Sequence, residues 1–159
     1  MSRIDYPAFS HAHADSLLAT LNDAQLRRHL VVHDAFDATS IRAWIDGKIA
    51  ANALPGCRVR IVCIDGETAG WCGIQRDDDG HEIAIVLSPR FWGHGIAIFK
   101  TLMHWAAELG HREVRFHLLE TRREYAALRR MARTVSTSTL LGRRFTTYVF
   151  TVDTPPGPD

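Results

Sequence analysis

The chain has 159 residues, of which 46% are hydrophobic and 23% are charged, and this composition is typical of a folded globular domain. Its formal net charge of +1 excludes a global field that would attract nucleic acid or an anionic membrane, so we expect partners to be recognised locally. The length predicts a single domain, which we place at residues 1–153. The last residues, TPPGPD at 154–159, have nothing to bury and are expected to be disordered.

Neither a membrane segment nor a secretion signal is predicted. The longest uninterrupted apolar run, residues 83–87, is far shorter than the roughly 20 residues that cross a bilayer. The N-terminal residues include histidines and aspartates and no continuous apolar segment, unlike a secretory signal. The three cysteines have no C-x-x-C spacing, which argues against a disulfide framework or a zinc site. We therefore expect a cytoplasmic protein with reduced cysteines that does not span a membrane.

The first third of the chain predicts one edge strand followed by helices. Residues 3–9 are the only place for a first strand, and Pro7 would restrict that strand to a sheet edge. The irregular helical pattern from residue 15 to about 32 is compatible with two short helices. A more regular helix is predicted to begin at a Thr39/Ser40 cap and to stop at residues 54–56, Leu-Pro-Gly.

An antiparallel meander is predicted next. Alternating apolar residues indicate three strands at residues 57–64, 68–76 and 81–88. The dipeptides Asp65-Gly66 and Asp79-Gly80 separate them, and such dipeptides are the strongest short-range signal for a β-hairpin.

The second half returns to mixed helix and strand. The predicted elements are a helix that ends near Gly110, a strand at 114–118, a helix at 122–132, and a closing antiparallel pair at about 134–141 and 144–152. The order predicts an α/β (α+β) fold with a mixed, mainly antiparallel sheet of six or seven strands, flanked by about four helices.

A glycine-containing loop, RFWGHGIA at residues 90–97, connects a predicted strand to a predicted helix. Gly93 and Gly95 would let a ligand approach the backbone, and the positive end of the following helix would favour a pyrophosphate. The dinucleotide fingerprint G-x-G-x-x-G is not met, since its third glycine position falls on Ile98. Taken alone, the loop is equally compatible with a tight connection.

Residues 81–97, HEIAIVLSPRFWGHGIA, resemble the Gcn5-related N-acetyltransferases (GNAT), in particular their ribosomal-protein-acetyltransferase-like branch. The shared pattern is a glutamate on the fourth strand, a proline, an aromatic-Trp-Gly-x-Gly-x-Ala loop and a helix. The resemblance covers roughly residues 57–133, and the predicted order of elements is also similar to that fold. It implies an acyl-CoA-dependent N-acyltransferase in which the amine attacks the thioester directly. Acetyl is the expected group, and the acceptor is a primary amine of a small molecule, peptide or protein.

The resemblance also implies how acetyl-CoA is held. The pantetheine arm would pair with the end of the fourth strand near Ile85 and Leu87, where the family's fourth and fifth strands splay apart. The pyrophosphate would lie on the backbone amides of Trp92, Gly93, His94, Gly95, Ile96 and Ala97. The imidazole of His94 would also help to neutralise a phosphate, or else face solvent.

Two residues are candidates for catalysis. Glu82 occupies the family's glutamate position and is the candidate base for the amine; the alternative is a solvent-facing strand residue. The family's proton-donating tyrosine matches Leu128, which has no proton to donate. Tyr125 lies about one turn earlier and is a candidate acid; the alternative is a packing role in the core.

Other site types are less well supported. His11-x-His13 has ligand-like spacing, but no cluster with fixed spacing completes a metal site, so no metal is expected. The predicted helix at 122–132 is locally basic, and in this fold Arg122 or Arg123 would meet the nucleotide's phosphate, unless the run is a solvated face. The arginines of this region are Arg122, Arg123, Arg129, Arg130 and Arg133.

Two alternatives to an enzyme remain open. A non-catalytic acyl-CoA-binding sensor or regulatory module of the same fold would explain the missing tyrosine. A nucleic-acid binder has only the arginine-rich helix in its favour. The expected partners are an amine acceptor that this sequence does not identify and, as an open alternative, a second copy of the chain in a homodimer; no membrane or nucleic-acid partner is expected.

Overall fold

The computed structural model describes residues 2–30, 34–78, 80–119, 121, 125–140 and 142–153. The strands are β1 (Ile4–Asp5), β2 (Arg58–Ile64), β3 (Glu67–Asp77), β4 (Gly80–Leu87), β5 (Glu113–Leu119), β6 (Thr134–Leu140) and β7 (Arg143–Thr151). The α-helices are α1 (Ala14–Leu21), α2 (Ala24–Arg27), α3 (Ala38–Asn52), α4 (Gly95–Glu108) and α5 (Ala126–Met131), and 3-10 helices span His11–His13 and Pro89–His94. The predicted disordered tail at 154–159 lies outside the described residues.

All seven strands belong to one sheet with the order β1-β2-β3-β4-β5-β7-β6. Neighbouring strands are antiparallel except β4 and β5, which are parallel. This arrangement confirms the predicted mixed, mainly antiparallel sheet. The parallel pair is connected through α4, as a parallel connection requires a crossover segment.

The β2–β3 hairpin follows directly from its turn residues. Asp65 and Gly66 both have positive φ, +51° and +83°, as a two-residue type I′ turn requires. Ile64 pairs with Glu67 across this turn. In the next hairpin Asp77 pairs with Gly80, so Gly80 is the first residue of β4 and not a turn residue as predicted; Asp79 lies outside the described residues.

The helices form two layers, one on each face of the sheet. On one face, α1 and α3 pack their buried side chains, among them Ile41 and Ile45, against Trp71 of β3. On the other face, Ile98 and Leu102 of α4 pack against Cys72. Neighbouring residues of β3 therefore serve opposite cores, as the two-residue period of a strand requires.

Three further local predictions differ from the structure. The first strand covers only Ile4–Asp5, because Pro7 has no N–H for the sheet and offers only its carbonyl, which accepts a hydrogen bond from the Ile61 amide at 2.9 Å. The cap of α3 is Asp37, not Thr39/Ser40. Its carboxylate accepts from the Thr39 and Ser40 amides, and the Ser40 hydroxyl accepts from the Asp37 amide, which makes a capping box.

The third difference concerns the predicted helix at 122–132. The helix begins only at Ala126, and Tyr125 precedes it in an extended conformation. Residues 122–124 lie outside the described residues. Among the helices that the structure describes, none is both long enough and apolar enough to cross a membrane.

Candidate active site

A cleft opens in the sheet between β4 and β5. The two parallel strands pair at only two positions, Glu82 with Arg115 and Ile83 with Phe116. Beyond Ile83 the register gives no further pairs, although β4 continues to Leu87. The edge of β4 that faces β5 is therefore open to an added extended chain in this region.

On the α4 side of the sheet the cleft is an apolar cavity of about 190 Å³. Ile85 and Leu87 of β4 and Phe116 and Leu118 of β5 form its walls. The sequence-predicted pantetheine residues, Ile85 and Leu87, thus lie on one cavity wall. Indole Nε1 of Trp92 donates to the Leu87 carbonyl at 2.9 Å, which ties the glycine loop to the end of β4.

The segment predicted as a glycine loop is helical. The 3-10 helix Pro89–His94 runs directly into α4, and the Gly95 amide donates to the Trp92 carbonyl. The start of α4 therefore has fewer unpaired N–H groups than a helix that begins directly after a loop. A Cβ on Gly93 or Gly95 would meet no atom within 4 Å, and Gly95 has an ordinary helical φ of −58°. The space that these glycines leave is open at the cavity rim, which suits a bulky ligand.

A second cavity, of about 330 Å³, lies on the opposite face of the sheet. Ile85, Phe116 and Leu118 line both cavities. The walls of the second cavity are mainly apolar, and Glu82 and His117 bring charge and hydrogen-bonding capacity to it. The two cavities are thus positioned for two ligands that meet at the gap in the sheet.

Glu82 lies where β4 and β5 begin to separate. Its side chain is 25% exposed, and Gln75 Nε2 donates to Glu82 Oε1 at 3.1 Å. Burial raises the pKa of the Glu82 carboxyl above its usual value, and the Gln75 hydrogen bond opposes that rise. A carboxylate with a raised pKa is a better proton acceptor than one at the protein surface.

His117 and Asp77 lie beside Glu82 on the same face of the sheet. His117 Nε2 is 3.9 Å from Glu82 Oε2 and 3.1 Å from Asp77 Oδ2. His117 Nδ1 lies 2.8 Å from Thr147 Oγ1, which orients the ring. The imidazole lowers the pKa of Glu82, whereas the Asp77 carboxylate raises it.

Among the described residues, Asp77, Glu82 and His117 are the one group of side chains close enough together to bind a metal ion. One ligand atom from each lies within 4.8 Å of the other two. Protein partners already engage them, since His117 bonds to Asp77 and Thr147, and Arg115 lies 4.0 Å from Asp77. That no metal is required stays a prediction.

Lys48 of α3 approaches Glu82 through Gln75. Its Nζ donates to Gln75 Oε1 at 3.0 Å and lies 4.0 Å from the ring centroid of Trp71 and 5.4 Å from that of Trp44. Burial lowers the pKa of the Lys48 ammonium to about 8, against the opposing attraction of Glu82.

Comparison with known families gives a match over most of the chain. The model of the Acetyltransferase (GNAT) domain matches residues 3–132. The chain belongs to the GNAT acetyltransferase family. Its class of activity is acetyl transfer. No curated protein sequence matches the chain.

Solved structures resemble this GNAT domain over nearly their whole length. One is RimL, the ribosomal L7/L12 alpha-N-protein acetyltransferase, in complex with coenzyme A (18% identity, TM-score 0.74, 96% of each chain covered). A second is the Salmonella typhimurium acetyl transferase that modifies the N-terminal serine of that ribosomal protein (19% identity, TM-score 0.73, 94% of this chain and 95% of the other).

A third structure is yncA from Salmonella typhimurium with its cofactor acetyl-CoA (17% identity, TM-score 0.66, 100% of this chain and 98% of the other). At these identities the likeness shows a shared fold. The predicted fold class is thereby confirmed, as is the predicted resemblance to the GNAT family.

Two of the remaining predicted site residues of the GNAT domain, Ile96 and Tyr125, line the first cavity, whereas His94 and Ala97 are not among its lining residues. Tyr125 and the buried Leu128 line it at the α5 end, and Ile96 lines it at the start of α4. The side chain of Ile96 is 38% exposed. The His94 ring lies 6.3 Å from the Phe91 ring between centroids and is tilted to it by 50°, and Ala97 follows in the first turn of α4.

The structure separates other candidates from this cavity. His11 bonds to Asp46 and His13 to Thr68, so the two histidines of the predicted spacing have different partners. Arg133 pairs with Glu113 at 2.6 Å. Arg122 and Arg123, the predicted phosphate contacts, lie outside the described residues.

The sequence analysis missed Gln75, Asp77, His117 and Lys48. The predicted Asp79-Gly80 turn would place Gln75 opposite Ala84. In the structure Asp77 pairs with Gly80 and Gln75 with Glu82, so the sequence signal for this register was two residues off on β4. No local signal could place His117, since its proximity to Glu82 depends on the parallel pairing of β4 with β5.

Proposed function

We propose that this GNAT domain transfers an acetyl group from acetyl-CoA to a primary amine, and that acetyl-CoA and the amine enter the cleft from opposite faces of the sheet. The observation that carries this proposal is the gap beyond Ile83, where two cavities share a wall and Glu82 lines one of them. The fold neighbours with bound coenzyme A or acetyl-CoA support the choice of co-substrate.

Acetyl-CoA would occupy the α4-side cavity. Its pantetheine amides would pair with the open edge of β4 near Ile85, in the manner of an added strand. The Leu87 carbonyl already accepts from Trp92, so Ile85 is the better placed of the two predicted residues. The pyrophosphate would lie at the open space beside Gly93 and Gly95, at the positive end of α4.

The reaction would be a direct attack on the thioester. The amine nitrogen forms a bond to the carbonyl carbon, and the carbon–sulfur bond breaks as the tetrahedral intermediate collapses. An ordinary alkylamine has a pKa near 10.4, so most of it must lose a proton before it attacks. Glu82 would accept that proton, directly or through a water molecule, and its raised pKa suits this task.

Tyr125 would protonate the departing thiolate. It lines the α4-side cavity together with Leu128, and Leu128 has no proton to donate. A free thiol has a pKa near 8.5, so a thiolate is already a fair leaving group at neutral pH and the acid contributes less than the base.

The acceptor would bind in the second cavity. A mainly apolar wall with a carboxylate and an imidazole at the gap suits a primary amine that carries an apolar group. The neighbour that modifies an N-terminal serine shows that a protein terminus is one acceptor used within this fold. The proposal further places the enzyme in the cytoplasm, without a resident metal ion; a homodimer remains a prediction.

The sensor alternative is separated from the enzyme by two measurements. Acetyl-CoA at a hundred times its dissociation constant should add about 2.7 kcal/mol to the free energy of unfolding in either case. Release of free CoA thiol in the presence of a panel of primary amines is expected only from the enzyme. Stabilisation by acetyl-CoA without thiol release from any amine would favour the sensor, and a response only to an oligonucleotide would reject both.

A further inference from the structure

The chemistry of Lys48 fixes which way the Gln75 amide points. An ammonium group is a donor only, so the Gln75 atom 3.0 Å from Lys48 Nζ must be the amide oxygen. The Gln75 nitrogen is then left to face Glu82 Oε1, at 3.1 Å. The reversed amide would place two donors against each other at Lys48 and two acceptors against each other at Glu82.

Lys48 is itself held in place by aromatic rings. Its ammonium lies over the Trp71 ring and near the Trp44 ring, at distances that allow cation–π attraction. Trp71 is only 6% exposed, so the ring that carries the ammonium is fixed in the core. Gln75 and Glu82 are opposite residues of the antiparallel β3–β4 pair, so their side chains share one face.

The result is a difference between the two oxygens of Glu82. Oε1 accepts the Gln75 hydrogen bond, whereas Oε2 points toward His117 at 3.9 Å. We propose that Lys48 is a positioning residue that acts through Gln75 to orient the Glu82 carboxylate, so that Oε2 is the oxygen that receives the proton of the acceptor amine. This inference rests on the proposed role of Glu82 as the base.

The charged groups around Glu82 determine the sign of the expected pH effect. Lys48 and His117 favour the carboxylate, and Asp77 disfavours it. Loss of the Lys48 charge, and of the amide orientation that it enforces, should therefore raise the pKa of Glu82. The rising limb of kcat/KM against pH should move to higher pH.

The test compares Lys48→Met with Lys48→Arg and with Lys100→Met. Methionine keeps an apolar stem against the tryptophans but removes the charge and the donor, while arginine restores both. Lys100 is exposed on α4, and its replacement controls for the loss of one lysine charge. For Lys48→Met we expect kcat to fall about 10- to 100-fold, as for a misplaced catalytic group. The rising limb should move up by about 0.5–1 pH unit.

Other readouts separate positioning from general damage. The KM for acetyl-CoA and the stabilisation by acetyl-CoA should stay at parent values in Lys48→Met, and Lys48→Arg should recover most of kcat. Gln75→Leu should reproduce the loss and the pH shift, which keeps the test available if Lys48→Met folds poorly. Lys48→Met added to Glu82→Gln should cost nothing further, because Lys48 acts only through Glu82.

Each contrary result has a distinct meaning. If Glu82→Gln loses turnover but Lys48→Met and Gln75→Leu keep the parent's kcat and pH profile, the positioning role is wrong and the base assignment stands. If Glu82→Gln keeps the parent's rate, the base assignment fails, and the positioning role that rests on it fails too.

Discussion

Gln75 and Glu82 lie directly opposite each other on neighbouring antiparallel strands, and the Gln75 amide donates to the Glu82 carboxylate at 3.1 Å. This pair places a half-buried carboxyl group beside the gap between β4 and β5. Burial raises the pKa of that carboxyl more than the Gln75 bond lowers it. The burial that makes Glu82 a stronger base therefore also has a cost in the stability of the folded protein when Glu82 is ionised.

That cost can be measured by the pH dependence of unfolding. The folded-state pKa of Glu82 is above its unfolded value, so the folded state gains stability by holding the proton. This gain is present below the unfolded pKa and is lost as pH rises through the folded pKa. Glu82→Gln carries no charge, so we expect it to melt at or above the parent's temperature at pH 7. The difference should shrink at pH 4, as differential scanning calorimetry would show. A lower melting temperature for the variant at both values would contradict this.

Much of the fold was accessible from local sequence patterns. The Asp65-Gly66 turn and the alternation of β2 and β3 predict the first hairpin, in which Ile64 pairs with Glu67. The Gln75–Glu82 pair belongs to the next hairpin, β3–β4, whose turn residues were predicted one position too late. The cap of α3 was misplaced because Asp37, Thr39 and Ser40 all suit a cap, and only the hydrogen-bond geometry selects among them.

The candidate site was less accessible. The glycine loop was predicted from its two glycines between a strand and a helix, and the role of Glu82 came from a resemblance to a family. The 3-10 helix of the loop, which engages the Gly95 amide, has no signal in that motif. Lys48 and His117 reach the site from α3 and β5, which are distant in sequence from β4. Their proximity is a property of tertiary packing, which residue spacing does not encode.

Gly95 gives a test of the cofactor position. Its φ of −58° is accessible to any residue, and a Cβ there meets no atom within 4 Å, so Gly95→Val should fold with little change in stability. The added side chain should block the open space beside α4 and weaken acetyl-CoA binding by about tenfold or more. Isothermal titration calorimetry measures the affinity.

The matched control for that substitution is Gly47→Val, on the exposed surface of α3. Gly47 also has open space around it, and it lies on a helix outside the residues that line the α4-side cavity. Its replacement should leave acetyl-CoA affinity at the parent's value. If Gly95→Val also bound acetyl-CoA like the parent, the pyrophosphate would lie elsewhere.

Tyr125→Phe tests the proposed acid. The variant keeps the ring that lines the cavity and removes only the hydroxyl, so acetyl-CoA binding should be unchanged. We expect kcat to fall by about tenfold at pH 7, a smaller effect than general acid–base groups usually give, because the thiolate is itself a fair leaving group. The loss should diminish above pH 9. A variant with the parent's kcat across the whole pH range would assign Tyr125 to packing alone.

The most direct test of the central claim is the turnover of Glu82→Gln beside its affinity for acetyl-CoA. Glutamine keeps the shape of the side chain and removes the base. Acetyl-CoA should bind as it does to the parent, while thiol release with a reactive amine falls about 10²- to 10⁴-fold. The parent's kcat/KM should rise with pH through a pKa above the usual value for glutamate, and the variant should lack that limb. A variant with the parent's rate and pH profile would contradict the account, because the amine would then lose its proton to another group.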